Sequence, residues 1–407
     1  MTAQTGTTKD LITTDELVSR AVALGPQLQE RRLSAAKNRH IPEESIADLI
    51  DSEVLKACMP AKFGGFELPF GSHTDVAMEL ARYCGSTGWV AGIIGSHNWW
   101  LGKYQVEAQH EVWDKNPDAL VAAAFASTKG SQAVQSAGGY TVSGKWLFCS
   151  GVDACGWTSL MAQVPRENQP PDLAMVLLPA SDYTIEDVWY SPGMSATGSN
   201  NVLVNEVFVP AHRATLMSEL NRKLSPGQML NNGPTYRLPM LDVFGYSVAG
   251  PTLGAAKGAL HNFLEGMRQR KALDNSRVAE FATQQVRVSE ASAEIDAAQA
   301  IYDSDMAMMR NACIEDRELK QADLLRIKRN CAYIAQLSKR SASRVVEAMG
   351  AGGLNNSNPV HMAFSDAIAG ASHRALNWDV HATAYGKVLF DLDVSAESEQ
   401  ARRQKEG

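Results

Sequence analysis

Apolar positions recur at helical spacing in two long stretches of the chain, and between them the pattern shortens to strand-like alternation. The first helical stretch opens at Thr14-Asp-Glu-Leu17, a capped helix start, and its apolar residues return every three or four positions through Leu55. Ala61-Lys-Phe-Gly-Gly-Phe-Glu-Leu-Pro69 breaks it. A second block begins near Ser72, carries Ala77, Leu80, Ala81 and Cys84, and resumes over Trp89–Tyr104 and Val106–Trp113. From Leu120 to Val209 come short runs of β-branched and aromatic residues divided by turns at Gly138-Gly139, Ser143-Gly144, Asn168–Pro171, Ser191–Gly193 and Asn200-Asn201. Leu203–Val209 alternates as a half-buried strand does. After Ser225–Pro234 the helical period returns. It predicts helices over Gly250–Arg270, over a stripe holding Ala291, Ile295, Ala298, Tyr302, Met306 and Met309, over Lys320–Met349, and from Pro359 to about Leu389.

At 407 residues the chain exceeds what one core normally supports, roughly 250–300 residues. The pattern therefore predicts an α+β, mostly α architecture. An N-terminal helical domain (1–119) precedes a central antiparallel β domain (120–214) and a C-terminal four-helix bundle with a polar tail (215–407).

A formal charge of −7 provides no basic field for phosphate backbones, so no nucleic-acid partner is expected. The six cysteines (Cys58, Cys84, Cys149, Cys155, Cys313, Cys331) form no C-x-x-C pair and sit in apolar runs, as reduced thiols of a cytoplasmic protein do. Met1–Asp10 has no basic start followed by an apolar run, and no stretch approaches the ~18 apolar residues of a membrane span. No metal site is expected. His212, His261, His361 and His381 lack ligand spacing, Glu290 and Glu294 read as a solvated helix stripe, and no Glu-x-x-His pattern occurs. A dinucleotide-binding glycine motif following a strand is also missing.

Five segments carry a family likeness: Ala81–Trp89, Ser96-His97-Asn98, Trp146–Trp157, Gly193–Phe208, and Phe364-Ser-Asp-Ala367 through His373. With their order they resemble the acyl-CoA dehydrogenase superfamily, and within it the branch of flavin-dependent monooxygenases (group D) that serve as oxygenase components of two-component aromatic hydroxylases. Dehydrogenases of this fold commonly place a catalytic glutamate near the last segment. Here Ala367–Trp378 contains no Asp or Glu, and His373 stands there.

The resemblance implies reduced FAD or FMN that diffuses from a separate NAD(P)H-dependent flavin reductase, with dioxygen (O2) as co-substrate. One oxygen atom would pass through a flavin C4a-hydroperoxide to an aromatic or heteroaromatic small molecule, phenolic or indole-like. The ring system would lie between the β domain and the bundle, with Phe125, Ala126, Ser127, Trp146 and Ser150 around it. Ser150 is the candidate partner on the N5 side. The flavin phosphate would meet Arg268 and Arg270 or the segment of Gly350, Gly352 and Gly353, which in relatives reaches a neighbouring subunit's flavin and so implies a homotetramer. His373 would stand by the peroxide, where an imidazole with an unperturbed pKa of about 6.5 can donate or accept a proton. Asp366 and Asp379 flank it and are candidates to orient it. His97, Asn98, Trp99, Trp100, Phe148 and Phe244 are the substrate-wall candidates, and Asn-Trp-Trp after His97 leans the expectation toward an indole-type or polycyclic substrate. Ordinary structural readings stay open: a turn hydroxyl for Ser150, a helix cap for the glycines, a core position for His373 and for one tryptophan at least.

Two other functions compete. An acyl-CoA dehydrogenase-type FAD oxidoreductase needs a carboxylate to remove the α-proton, where this chain offers His373-Arg374. A flavin-free scaffold would have no use for Trp146, Ser150 and His373.

Overall fold

The computed structural model describes residues 12–223 and 225–395. The leader and most of the polar tail lie outside them. Five helices come first: α1 (Thr14–Asn38), α2 (Glu43–Asp51), α3 (Ser72–Tyr83), α4 (Gly85–Leu101) and α5 (Val106–Trp113). Thr13 caps α1 by accepting from the Glu16 amide. The first apolar run is not one helix. Arg39 turns left-handed at φ 63° and Pro42 follows, which separates α1 from α2.

Nine strands follow among the described residues: β1 (Val121–Ala124), β2 (Ala126–Ser127), β3 (Gln132–Ser136), β4 (Gly139–Cys149), β5 (Trp157–Arg166), β6 (Gln169–Pro179), β7 (Thr184–Glu186), β8 (Asn200–Pro210) and β9 (Ala214–Leu216). They form one sheet in the order β7-β8-β4-β3-β5-β6-β9, with β2 antiparallel on β4. The sheet is mixed and not purely antiparallel, because β1 runs parallel to β5 from Val121↔Trp157 to Ala124↔Leu160 and β3 meets β5 in parallel at Gln132↔Gln163. Parallel neighbours need a long crossover, and β2, β3 and β4 provide it between β1 and β5. The β4–β8 register slips between Trp146 and Cys149, where Phe148 takes φ 62°. This bulge turns Phe148 outward, 61 % exposed, and carries Cys149 and Ser150 inward.

The chain then forms α6 (Met217–Leu220), α7 (Met240–Val243), α8 (Gly245–Met267), α9 (Ala282–Ile314), α10 (Gln321–Ala348), α11 (Pro359–Ala371) and α12 (Trp378–Leu389). Helices α8 to α11 pack as a bundle, with α3 and α4 laid against α8. The helix expected from Pro359 to Leu389 is broken. His373 adopts an extended conformation, and its Nδ1 accepts from the Ala375 amide, capping a short turn that separates α11 from α12. One apolar core runs through the N-terminal helices, the sheet and the near end of the bundle. A smaller one, with Phe263, Met267 and Val346, closes the far end.

Two glycines let α11 approach its neighbours. A Cβ on Gly85 would fall 2.4 Å from an Asp366 carboxylate oxygen, and one on Gly193 would fall 2.0 Å from the Ser365 carbonyl oxygen. Asp366 accepts from the amides of Met194, at 2.6 Å, and Gly85. It thus ties α11 to the β domain and caps α4. Burial pushes its carboxyl up to about 6. Among the described residues no helix is long and apolar enough to cross a membrane, and no group of three acidic, histidine or cysteine side chains could hold a metal ion.

Candidate active site

Helix α4 supplies the centre of the site. It is apolar nearly all round, and every one of its residues is buried, as expected of a helix enclosed on all sides. Trp89, His97 and Trp100 stand at i, i+8 and i+11, which places them on one side of it. His97 and Trp100 stack, with ring centroids 4.4 Å apart and planes 24° from parallel. His97 Nδ1 lies 2.6 Å from the Val121 carbonyl oxygen at the start of β1. A carbonyl only accepts, so Nδ1 carries the proton and Nε2 keeps its lone pair. Burial lowers the pKa of His97 to about 3, which leaves the ring neutral at ordinary pH.

Aromatic rings continue from there into the other two parts of the chain. Trp100 meets Phe125, in the link between β1 and β2, at 5.3 Å, and Phe244, at the entry to α8, at 5.7 Å. Phe125 and Phe244 lie 5.4 Å apart, and Phe244 lies 6.2 Å from His373. Trp89 closes the circuit. Its ring stands 5.6 Å from His373, and its Nε1 donates to Ser150 Oγ at 3.3 Å. The His373 cap makes Nδ1 an acceptor, so in the neutral ring Nε2 bears the proton.

His97, Trp100, Phe125, Ser150, Phe244 and His373 are therefore brought together from all three parts of the chain. Other expected members stand apart. Trp99 turns to the opposite side of α4, against Phe70 at 4.8 Å, and donates to the Thr235 carbonyl at 3.0 Å. Asn98 donates to the Leu55 carbonyl. Phe148 faces outward beside Trp189. Trp146 is wholly buried in the sheet, with its indole N–H committed to the Met161 carbonyl at 2.7 Å, and Ala126 and Ser127 are exposed on the strand beside it. Asp379 is exposed at the start of α12, and Asp366 serves Met194 and Gly85.

Arg268 and Arg270 are exposed at the C-terminal end of α8. Its 23 residues span about 35 Å, and Phe244 precedes the other end. Arg268 pairs with Glu265. Gly350 and Gly352 follow α10 at that same far end, with open space where a Cβ would lie, whereas Gly353 is buried. Gly350 takes φ 64°, the left-handed conformation that commonly ends helices.

Sequence reasoning missed Trp89 as a link, although its spacing from His97 and Trp100 carried the signal. It also assigned no role to Thr197 and Ser199, whose hydroxyls connect to Ser150. Two open clefts of about 700 and 570 Å³ lie where α1, α2 and α5 meet the β domain, lined in part by Glu111, Trp157 and Arg213 and by Arg39, Asp153 and Thr197. Neither is lined by the aromatic circuit.

The polar atoms within the circuit suit a flat ring with polar edges. Trp100 Nε1 is buried without a hydrogen-bond partner, His97 Nε2 has none among the described residues, and Ser150 Oγ has acceptor capacity left. Aromatic walls with a few placed polar atoms are what a flavin and an aromatic substrate require.

A family model described as acyl-CoA dehydrogenase, C-terminal domain, matches residues 246–378. The oxygenase component of an FADH2-dependent resorcinol hydroxylase from Rhizobium sp. (strain MTP-10005) is 34 % identical, over 93 % of this chain and 94 % of that one. The crystal structure of 3-HSA hydroxylase from Rhodococcus sp. RHA1 superposes with a TM-score of 0.89 at 31 % identity, covering 94 % of this chain and 98 % of that one. XiaF from Streptomyces sp., solved with FADH2 and glycerol, superposes with a TM-score of 0.86 at 26 % identity, over 94 % and 96 %.

Proposed function

The chain belongs to the oxygenase components of flavin-dependent monooxygenases, and from that premise we propose that it hydroxylates a phenolic ring whose hydroxyl meets the nitrogen edges of the stacked His97 and Trp100 rings. It works with reduced flavin made by a separate reductase and acts on an aromatic small molecule. The observation that carries the phenolic reading is the pairing of one unused acceptor, His97 Nε2, with one unpartnered buried donor, Trp100 Nε1. A phenol hydroxyl both donates and accepts, so it satisfies both. An indole N–H satisfies only the first. Trp99, which favoured a bicyclic substrate, packs away from this pair.

Bound reduced flavin supplies the electrons for activating dioxygen, one atom going to the ring and one to water. His97 Nε2 accepts a hydrogen bond from the phenol hydroxyl, which fixes the ring and polarises its O–H bond so that electron density rises at the ring carbon that receives oxygen. Phe125, Phe244 and Trp89 exclude water. His373 presents Nε2–H as a donor to the oxygen being transferred or released. Ser150 would hold the N5 edge of a bound flavin.

Arg268, Arg270, Gly350 and Gly352 lie a helix length from this centre and would hold the phosphate end of a flavin bound in a neighbouring subunit, the arrangement that the family's homotetramer would provide. Six free, buried thiols favour the cytoplasm. The test is a panel of phenols, indoles and fused thiophenes supplied with a generic flavin reductase, NADH and air. The expected result is hydroxylation of phenols ahead of the others. Tightly bound yellow FAD with oxidation of an acyl thioester would replace this reading with the dehydrogenase one.

A further inference from the structure

Behind Ser150 runs a row of hydroxyls whose direction is fixed at its far end. Ser150 Oγ lies 2.7 Å from Ser199 Oγ, which lies 2.6 Å from Thr197 Oγ1, which lies 2.9 Å from the Met194 carbonyl oxygen. Ser150, Thr197 and Ser199 are all buried. A carbonyl cannot donate, so Thr197 spends its single proton on Met194. That oxygen also accepts from the Thr197 amide and Trp189 Nε1, but a Thr197 proton turned elsewhere would leave two oxygens facing each other at 2.9 Å with only lone pairs between them. Ser199 must therefore donate to Thr197, and Ser150 must donate to Ser199. Trp89 Nε1 fills one lone pair of Ser150 Oγ. What remains on that oxygen is one lone pair and no proton.

The row is rigid as well as directed. The Gly151 amide donates to the Thr197 carbonyl at 2.7 Å, joining the two turns through backbone, and Gly151 holds φ 72°. We infer that Thr197 and Ser199 are positioning residues that set the redox preference of the flavin site, by making Ser150 an acceptor only. The inference rests on the flavin reading above and deepens it. Reduced flavin carries a hydrogen on N5 and can donate to Ser150. Oxidised flavin presents a lone pair at N5, which would face the lone pair of Ser150. A site of this polarity takes up the reduced form and releases the oxidised one after turnover.

Removing the acceptor at either step frees the row to reverse. Ser199→Ala leaves Ser150 with no hydroxyl to donate to, and Thr197→Val lets Ser199 donate back toward Ser150. In both, the Ser150 proton can turn to the ligand. Thr197→Ser keeps the hydroxyl and the direction. The test is anaerobic titration of the full-length protein and these three variants with FMN and with FAD, each oxidised or dithionite-reduced, with Tm recorded to confirm folding. Wild type and Thr197→Ser should prefer reduced flavin at least tenfold, and Ser199→Ala and Thr197→Val should lose about tenfold of that ratio, mostly by binding oxidised flavin better. A wild type that binds both forms equally, or folded variants that keep the full preference, overturns the inference and leaves the oxygenase reading standing. A wild type that binds neither form overturns both.

Discussion

His97 and His373 are held in opposite tautomers. His97 gives its Nδ1 proton to the Val121 carbonyl and keeps a lone pair on Nε2, whereas His373 accepts the Ala375 amide at Nδ1 and carries its proton on Nε2. Two chemically identical side chains are thus set as an acceptor and as a donor by one backbone contact each. Buried Phe244, ring to ring with His373 and with the Trp100 on which His97 stacks, stands between them. Their loss should damage different steps.

His373 is half-buried, and replacing it removes the donor together with the Ala375 cap and the ring contacts to Trp89 and Phe244, a small loss for a chain of this size. His373→Ala should retain the wild-type Tm within about 2 °C and divert most of the NADH consumed into free hydrogen peroxide, lowering product per reductant by tenfold or more. Peroxide and product measured in the same reaction check this. Unchanged coupling would remove His373 from the chemistry.

Loss of His97 should instead impair phenols selectively. His97→Ala should lower kcat/KM for a phenol by about a hundredfold, the effect of leaving a buried hydroxyl without its acceptor. An analogue with a methoxy group in place of the hydroxyl, which has no proton to give, should be affected far less. Equal losses on both would mean that His97 only shapes the wall.

The two neighbouring tryptophans should separate stability from binding. Trp99→Phe breaks the bond to the Thr235 carbonyl in a closed core and should cost about 2 kcal/mol. Trp100→Phe leaves a similar gap but gives up an N–H that has no partner, so it should cost about 1 kcal/mol less than Trp99→Phe while raising KM for the phenol. Denaturant unfolding and steady-state kinetics on both proteins distinguish these outcomes.

The order of helices, sheet and bundle was legible because each period persists over many residues. Long-range geometry was not. Nothing local marks the bulge that turns Phe148 outward, or tells that α11 stops where the His373 side chain caps its own turn. Asp366 lies two turns before His373 and was expected to orient it, yet it reaches back to Met194 and Gly85, a contact that depends on Gly85 and Gly193 lacking side chains. Two buried bases also escaped notice. His73 bonds Ser247 at 3.0 Å, and Lys103 donates to the Leu238 carbonyl, with its pKa lowered to about 7 by burial. Both sit in segments whose apolar neighbours alone drew attention, and no spacing rule separates a buried base from an exposed one.

Those buried histidines give acidification a definite sign. Burial lowers His73 and His97 from the usual 6.5 to about 3, so between those values the unfolded chain binds more protons than the folded one. The stability they contribute is present above pH 6.5 and is lost as pH falls toward 3, at about 2 kcal/mol per histidine by pH 5. Asp366, raised to about 6, works the other way below that pH and offsets part of the loss. Tm should fall between pH 7.5 and 5, and the fall should shrink in His73→Gln. An identical slope in that variant would show that His73 is protonated without unfolding.

Transfer of one atom of dioxygen to a phenol, by flavin reduced elsewhere, is the reaction that these residue roles require. A single turnover tests it: chemically reduced FAD or FMN, the protein and a resorcinol-type phenol are mixed without any reductase and exposed to ¹⁸O₂, and the product is examined by mass spectrometry. The expected product is a hydroxylated phenol carrying one ¹⁸O atom. A product whose new oxygen comes from water, or recovery of unchanged phenol with only hydrogen peroxide formed, would contradict it.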